Sequence, residues 1–213
     1  MFRDVNIFSN KCLICNVKDI YKYNICNDCY CNLEEYRDSL DYKFKYLDEI
    51  YVNYYYNNFL KEIVVDFKYN EKTYLDRFFG EMYINKIFEE KLNKEYSLIT
   101  YIPMTKYYEN KRGYNQSKLI CEYISENTLI GTKELLYKNR NNKKQKDLSK
   151  EERYENVRDI FSCREDVSDK NILIVDDIVT TGYTLDFAAK ALKELGAKKV
   201  AAIVAATHRS LWL

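Results

Sequence analysis

A short stretch, residues 171–184, constrains the fold more than any other part of the chain. Four branched apolar residues at 172–175 form a continuous run, which is typical of a parallel strand buried on both faces. Two carboxylates, Asp176 and Asp177, end the run, and a Thr-Thr-Gly turn and a helical pattern follow. This order predicts that acids, hydroxyls and free backbone amides lie together at the end of one strand.

The residues after the turn predict a βαβ unit. Apolar residues recur at helical spacing, at Leu185, Ala188, Ala189, Leu192 and Leu195. We expect Thr184 to cap this helix and Gly196 to end it in the left-handed conformation. The apolar run at 199–206 then predicts a second buried strand. Ligands of open α/β sheets bind beyond the carboxyl ends of the strands, which is where residues 176–184 would lie.

The predicted turn suits a phosphorylated sugar. Unpaired amides at the start of a helix attract a phosphate dianion, and Gly182 permits close approach or a positive φ angle. The acids could hold ring hydroxyls or a metal ion. The alternative is an ordinary strand–loop–helix turn with solvated acids. The glycine-rich signatures of dinucleotide and P-loop sites do not occur in the sequence.

The sequence at 175–184, Val-Asp-Asp-Ile-Val-Thr-Thr-Gly-Tyr-Thr, closely resembles the phosphoribosyl pyrophosphate motif of type I phosphoribosyltransferases. The resemblance implies that Asp176 and Asp177 face the ribose hydroxyls and the shell of a Mg²⁺ ion. It also implies that the following residues wrap the 5-phosphate. These are Val179, Thr180, Thr181, Gly182, Tyr183 and Thr184.

Two Cys-x-x-Cys pairs, Cys12 with Cys15 and Cys26 with Cys29, are the second strong pattern. Four thiolates on two such turns predict a tetrahedral zinc site, and it would be structural because no coordination position stays open. Cys31 could replace Cys29. The alternatives are disulfides or unrelated thiols. Disulfides need an oxidising compartment, and the first residues contain no apolar signal core, so we expect a cytoplasmic protein.

With 213 residues, the chain can form one α/β core and a small satellite module. We expect a zinc-binding module and connector at 1–45 and a phosphoribosyltransferase-like domain at 46–213. The charged segment 33–48 is predicted to be a helical connector. The net charge of +1 gives no overall attraction to nucleic acid, and no apolar run predicts membrane insertion.

Residues 111–116, Lys-Arg-Gly-Tyr-Asn-Gln, follow a strand predicted at 98–103. Arginine offers forked donors to phosphate oxygens, and glycine allows close backbone approach, so the segment suits a pyrophosphate. The candidate contacts are Arg112, Gly113, Asn115 and Gln116. The alternative is a solvated loop that caps the next helix. A further constellation, at 145–161, could reach a ligand or simply brace the sheet, and its spacing favours bracing.

Taken in order, these motifs resemble the ComF family of bacterial competence proteins. The resemblance implies a type I phosphoribosyltransferase-like parallel sheet flanked by helices, with a small N-terminal zinc module built on four cysteines. It also implies a role in taking up single-stranded DNA during natural transformation, beside a helicase partner. The sequence departs from the family at 141–144, Asn-Asn-Lys-Lys, where a threonine is common.

Two functions are compatible with the sequence. In the first, pyrophosphate is displaced from C1 of the ribose, with Mg²⁺ and Arg112 neutralising the leaving group; no general base is evident, and His208 is expected to be structural. In the second, the protein binds single-stranded DNA without catalysis through a basic loop. The residues of that loop include Arg140, Lys143, Lys144 and Lys146. The alternative for the loop is a solvated charged segment.

Overall fold

A five-stranded parallel sheet is the frame of the protein, which is described by a computed structural model covering residues 11–38, 44–138 and 160–209. The strands are β1 (Glu49–Tyr55), β2 (Leu98–Tyr101), β3 (Gly131–Thr132), β4 (Leu136–Lys138), β5 (Phe161–Cys163), β6 (Asn171–Val179) and β7 (Lys199–Thr207). The main sheet has the order β1-β7-β6-β2-β3, and every neighbouring pair in it is parallel. Strands β4 and β5 form a separate antiparallel pair. The predicted α/β class is confirmed.

Helices cover both faces of this sheet. They are α1 (Asn27–Cys31), α2 (Asn58–Tyr69), α3 (Asp76–Glu89), α4 (Leu92–Glu95), α5 (Lys106–Arg112), α6 (Gln116–Asn127) and α7 (Tyr183–Lys193), with a 3-10 turn at Thr73–Leu75. Helices α3 and α6 pack on each other and on one face, while α7 lies against β7 and the β4–β5 pair.

Strand β6 is buried on both faces because its side chains alternate between two apolar clusters. Leu173 and Val175 join the cluster that contains α3 and α6, whereas Ile172 and Ile174 join the cluster that contains α7. All four are fully buried. The continuous apolar run therefore has the structure predicted for it, and a helix on each side stabilises the strand that carries the acidic pair.

The N-terminal cysteine segment packs directly on the main sheet. Tyr23 lies 6.5 Å from Phe78, between ring centroids, and its hydroxyl is 3.4 Å from that of Tyr54 on β1. Three of the cysteines and Ile25 belong to the same buried cluster as α3 and α6. The chain then runs along the outer edge of β1, where Tyr36 donates to Asn53 and Tyr55 donates to Glu34.

Three local predictions are wrong. Within 33–48, the described residues are not helical, because 34–36 pair with the edge of β1 and 45–47 bind a distant carboxylate. Strand β6 does not end at 175 but continues to Val179, because β7 pairs with it through Thr207. Thr184 does not cap α7, since the N-cap residue is Gly182 and makes no side-chain bond.

One further prediction agrees with the structure, and others concern residues outside the described ranges. Gly196 has a φ of 92° after α7, as predicted for a helix terminator. The basic loop residues Arg140, Lys143, Lys144 and Lys146, and the constellation at 145–161 apart from its last two positions, lie outside the described residues. No helix in the described ranges is long and apolar enough to cross a membrane.

Candidate functional site

A cavity of about 630 Å³ opens at the carboxyl ends of the parallel strands. Segments that follow β1, β2, β6 and β7 line it, together with the ends of α2, α5 and β4 and the start of α6. Nine residues predicted from the two motifs lie in its wall: Arg112, Asn115, Gln116, Asp176, Asp177, Val179, Thr180, Gly182 and Thr184. Gly113, Thr181 and Tyr183 were predicted as well, but they are not part of this wall.

The two carboxylates occupy different environments. Asp177 accepts the backbone N–H of Ile178 at 2.7 Å through Oδ1, and its Oδ2 forms an ion pair with Lys68. Asp176 accepts the Ser117 hydroxyl at 3.4 Å. Burial and the neighbouring charge of Asp177 raise the pKa of Asp176 to about 7, although the nearby Lys68 and Lys138 act to lower it. Asp176 therefore holds its proton to a higher pH than an ordinary aspartate does.

Three cations face the acidic pair from different elements. Burial acts to lower the pKa of Lys68, but the adjacent Asp177 outweighs it and the pKa is raised. Lys138, at the end of β4, has a pKa lowered by burial, and Asp176 only partly offsets this. Arg112 lies over the Tyr69 ring, 4.8 Å from its centroid. The floor of the cavity thus consists of Asp176 and Asp177 with Lys68 against them, and Lys138 and Arg112 add two further positive charges to its wall.

Arg112 is held in place by neutral partners. Its guanidinium donates to Gln116 Oε1 and to the Tyr69 hydroxyl, each at 3.1 Å. Because neither partner is an acid, its positive charge stays available to an anion in the cavity. Gly113 ends α5 with a φ of 81°. The predicted loop at 111–116 is thus a helix end, a glycine turn and a helix start.

Asn115 and Gln116 also have structural roles. Asn115 accepts the N–H of Lys118 and caps α6, as in the capping alternative, while its amide donates to the Ile102 carbonyl at 3.1 Å. Gln116 donates to the carbonyl of Phe67 at 3.3 Å. These bonds fix the wall of the cavity to strand β2 and helix α2.

The turn between β6 and α7 presents a helix N-terminus to the cavity. Gly182 has a φ of 74°, in the left-handed region where a Cβ is strained, and α7 starts at the next residue. The first amides of a helix have no partner within it and point outward. The left-handed Gly182 and the start of α7 therefore lie in the wall of the cavity, beside the two acids.

A short segment, residues 44–47, holds this turn from the outer side; we call it the strap. The Asp186 carboxylate, in the first turn of α7, accepts backbone N–H groups from Lys45 at 3.3 Å, Tyr46 at 2.7 Å and Leu47 at 2.9 Å. A Cβ at Gly182 would lie 2.4 Å from a ring carbon of Phe44. The strap thus covers the back of the turn.

Several residues in the cavity were not predicted to be there. They are Tyr56, Lys68, Tyr69, Ser117, Lys138 and His208. Lys68 lies in the last turn of an amphipathic helix, where a lysine is ordinarily solvated, so no local pattern distinguishes it. His208 was expected to be structural; its ring packs 4.7 Å from the Tyr56 ring, and burial lowers its pKa.

The four predicted metal-ligating cysteines converge at the opposite end of the chain. The sulfur atoms of Cys12, Cys15, Cys26 and Cys29 all lie within 4.8 Å of one another. Sulfurs around a tetrahedral zinc are roughly 3.8 Å apart, as Zn–S bonds of about 2.3 Å require. Cys31 is exposed and is not in the cluster. The cluster fits a structural zinc ion, and Cys29 is the better fourth ligand.

The environment of Cys12 suits a thiolate. Burial acts to raise its pKa, but nearby backbone N–H groups, including those of Cys15 and Ile14, outweigh burial and lower the pKa to about 7. A sulfur–sulfur distance of 3.5 Å between Cys15 and Cys26 is longer than a disulfide bond. No disulfide joins any of the seven cysteines in the described residues.

Comparison with known proteins agrees with the two motifs. Residues 123–213 match the phosphoribosyl transferase domain family. Competence protein ComFC of Bacillus subtilis is 31% identical over 175 residues, which cover 81% of this chain and 67% of that protein. Competence protein F of Haemophilus influenzae is 23% identical over 220 residues, covering 92% of this chain and 96% of that protein.

Among solved structures, hypoxanthine phosphoribosyl transferase of Trypanosoma cruzi aligns with a TM-score of 0.42 and 15% identity, over 65% of this chain and 68% of that one. This likeness is too distant to carry an argument about function. Both competence proteins match over most of this chain, and the matched domain contains the paired acids. The chain belongs to the ComF family of competence proteins, with a phosphoribosyltransferase domain and an N-terminal four-cysteine cluster.

Proposed function

We propose that the protein binds phosphoribosyl pyrophosphate in the cavity at the carboxyl ends of the strands, and that it transfers the phosphoribosyl group. One observation carries the proposal. The acidic pair, the helix-start turn and Arg112 come from three separate elements and all face the same 630 Å³ space. This ligand needs three groups: an acid pair for the ribose hydroxyls, amides for a phosphate, and a guanidinium whose hydrogen-bond partners are neutral for the diphosphate.

Each part of the ligand has a place in this arrangement. The 5-phosphate lies at 179–184, against the amides that begin α7. Asp176 and Asp177 receive the ribose hydroxyls. The diphosphate faces Arg112, whose guanidinium is already fixed by Gln116 and Tyr69. Little reorganisation is then needed when the ligand binds, which favours both affinity and orientation.

A Mg²⁺ ion fits the donors of this site. Carboxylate oxygens are ligands that Mg²⁺ prefers, and the carboxylates of Asp176 and Asp177 both face the cavity. Asp177, with Asp176 beside it, would hold the ion together with oxygens of the ligand. When bound, the ion supplies positive charge to the leaving diphosphate.

The reaction would be a displacement at C1 of the ribose. The bond from C1 to the diphosphate oxygen breaks with its electron pair, and a nucleophile supplies a pair to C1. Positive charge develops on the ring, next to the Asp176 and Asp177 carboxylates, and negative charge develops on the diphosphate, next to Arg112. Side chains fixed before the reaction stabilise both charges, which is the usual source of such catalysis.

The four-cysteine cluster is proposed to hold one structural zinc ion. Three of its four cysteines and the nearby Tyr23 pack into the core shared with α3, so the metal would rigidify the segment that covers that face. We propose a zinc module and connector at 1–45 and a phosphoribosyltransferase domain at 46–213. A role in DNA uptake is proposed because both of these relatives are competence proteins.

Calorimetric titration with phosphoribosyl pyrophosphate, with and without Mg²⁺, tests the proposal. We expect binding that needs Mg²⁺ and that falls at least tenfold in Asp177→Asn, because that residue's charge serves both ribose and metal. Asp166→Asn is the matched control, since Asp166 is exposed and outside the cavity. Absence of heat and of thermal stabilisation at millimolar ligand would refute the proposed site.

Single-stranded DNA binding through the basic loop is the alternative for the DNA-linked role. It predicts retention of an oligonucleotide that weakens as salt rises, survives Asp177→Asn, and falls when Lys143 and Lys144 are neutralised. Transfer activity predicts the opposite pattern: pyrophosphate release with an amine acceptor that is lost in Asp177→Asn. Measuring both properties on the same two variants separates the functions.

A further inference from the structure

Lys68 and Asp177 form the ion pair at the floor of the cavity, and both are well shielded from solvent. Their side chains are only 21% and 19% exposed. By contrast, the nearby pair Lys72 and Asp66, at 2.8 Å, is 41% and 32% exposed. An ion pair that water screens weakly is stronger than one on the surface, so Lys68 holds Asp177 more firmly than an ordinary surface lysine would.

The ion pair with Lys68 uses an oxygen atom of Asp177 that a divalent cation would also need. Asp177 Oδ1 already accepts the N–H of Ile178, and Oδ2 is the oxygen on which Lys68 lies. A divalent cation cannot occupy the same position on Oδ2 as an ammonium group, and the two like charges repel each other. Lys68 therefore neutralises the charge of Asp177 from within the protein.

The surroundings provide a second place for the same ammonium group. The residue next to Lys68 is Tyr69, whose ring and hydroxyl hold Arg112. Arg112 is close enough for its charge to act on Lys68, so a diphosphate in front of Arg112 would attract both cations. The lysine stem is flexible and carries a point charge that needs no fixed geometry. Lysine can therefore exchange a carboxylate for a phosphate without movement of helix α2.

We propose that Lys68 is a built-in counter-ion that pairs with Asp177 until the ligand and its divalent cation bind, and then moves to the diphosphate. This inference rests on the proposed function of the same site, and it adds a positioning residue that selects the complete complex over the cation alone. While Lys68 covers Asp177, a divalent cation without the ligand is rejected. The ligand brings the anion that draws the lysine away.

The test measures binding of the cation and of the ligand separately. Mn²⁺ serves as the cation probe, because the electron paramagnetic resonance signal of free Mn²⁺ reports binding directly; the protein is kept zinc-loaded. The variants are Lys68→Met, which keeps the length and removes the charge, and Lys68→Arg, which keeps the charge. Lys72→Met is the matched control on the surface pair. Thermal melting checks that each variant is folded.

We expect Lys68→Met to bind Mn²⁺ alone roughly tenfold or more tightly than the unmodified protein, since a neighbouring opposite charge shifts such equilibria by one unit or more. The same variant should bind the phosphoribosyl pyrophosphate–Mg²⁺ complex about tenfold more weakly. Lys68→Arg should keep weak Mn²⁺ binding, and Lys72→Met should match the unmodified protein in both measurements.

Two results would overturn the inference. Unchanged or weaker Mn²⁺ binding in Lys68→Met would show that the lysine does not compete for Asp177. Tighter Mn²⁺ binding with unchanged ligand affinity would refute the transfer to the diphosphate. If the unmodified protein fails to bind the ligand, the proposed function is wrong, whereas the Mn²⁺ measurement still decides whether Lys68 is the counter-ion.

Discussion

Replacing Gly182 by alanine should destabilise the protein more than replacing Gly113, although both glycines have a positive φ angle. The angles are 74° and 81°, so an alanine has a similar backbone cost of roughly 1 kcal/mol at each position. The surroundings differ. A Cβ at Gly113 meets nothing within 4 Å, whereas a Cβ at Gly182 would lie 2.4 Å from one ring carbon of Phe44 and 3.0 Å from another.

The cost of the contact between the new Cβ and Phe44 can be estimated from how closely that ring is packed. Forcing extra atoms into packed surroundings typically costs about 1–3 kcal/mol. Phe44 is only partly buried, so its ring can move toward solvent and the cost should fall at the low end, about 1 kcal/mol. We therefore expect losses of about 1 kcal/mol for Gly113→Ala and about 2 kcal/mol for Gly182→Ala.

Urea unfolding followed by circular dichroism measures both losses in zinc-loaded protein. A double-mutant cycle isolates the contact: combining Gly182→Ala with Phe44→Ala should remove the extra loss of about 1 kcal/mol, because the ring that the Cβ meets is gone. Equal losses for the two glycine variants, or a cycle with no coupling, would refute the packing of Phe44 on the turn.

Three further predictions follow from the site and the cysteine cluster. The pKa of Asp176 is about 7 against an ordinary 3.8, so the folded state keeps a proton that the unfolded state loses. The free energy of unfolding should therefore fall as pH rises from about 4 to 7. Asp176→Asn should flatten this pH dependence, measured by urea titration. Cys29→Ser should lose the bound zinc measured by mass spectrometry, while Cys31→Ser keeps about one ion per chain. Asp186→Asn should lower the free energy of unfolding by about 2 kcal/mol, because an amide cannot accept all three strap N–H groups; the exposed Asp166→Asn should change it little.

Each of these has a contradicting result. A pH dependence that is unchanged in Asp176→Asn would place the titrating group elsewhere. Full zinc content in Cys29→Ser, with loss of zinc in Cys31→Ser, would show that Cys31 and not Cys29 is the fourth ligand. A variant at Asp186 as stable as the unmodified protein would show that the strap does not depend on that carboxylate.

The strand that carries the acids and its helix could be predicted from the sequence because their signals are local. The apolar run at 172–175 and the helical spacing that ends at Gly196 each need only neighbouring residues to be recognised. The cysteine pairs are equally local. The same reasoning ended the strand too early, since its extension to Val179 comes from pairing with Thr207 on another strand.

The two lysines of the cavity, Lys68 and Lys138, and the strap could not be predicted, because they depend on contacts between distant parts of the chain. Lys68 differs from other helix-end lysines only in facing Asp177, which the topology of the sheet decides. The carboxylate of Asp186 meets backbone groups 139 to 141 positions earlier in the chain. Backbone donors carry no residue-specific signal, so no motif at 44–47 could have indicated this partner.

The order of the strands has a consequence for how the protein is made. Strand β1 lies at one edge of the main sheet and pairs there with β7, the last strand of the described chain. During synthesis on a ribosome, its parallel ladder must wait until residues up to Thr207 have emerged. Until then its inner edge is unsatisfied and open to pairing with other chains, so slow, late closure and a need for protection from aggregation are built into the topology.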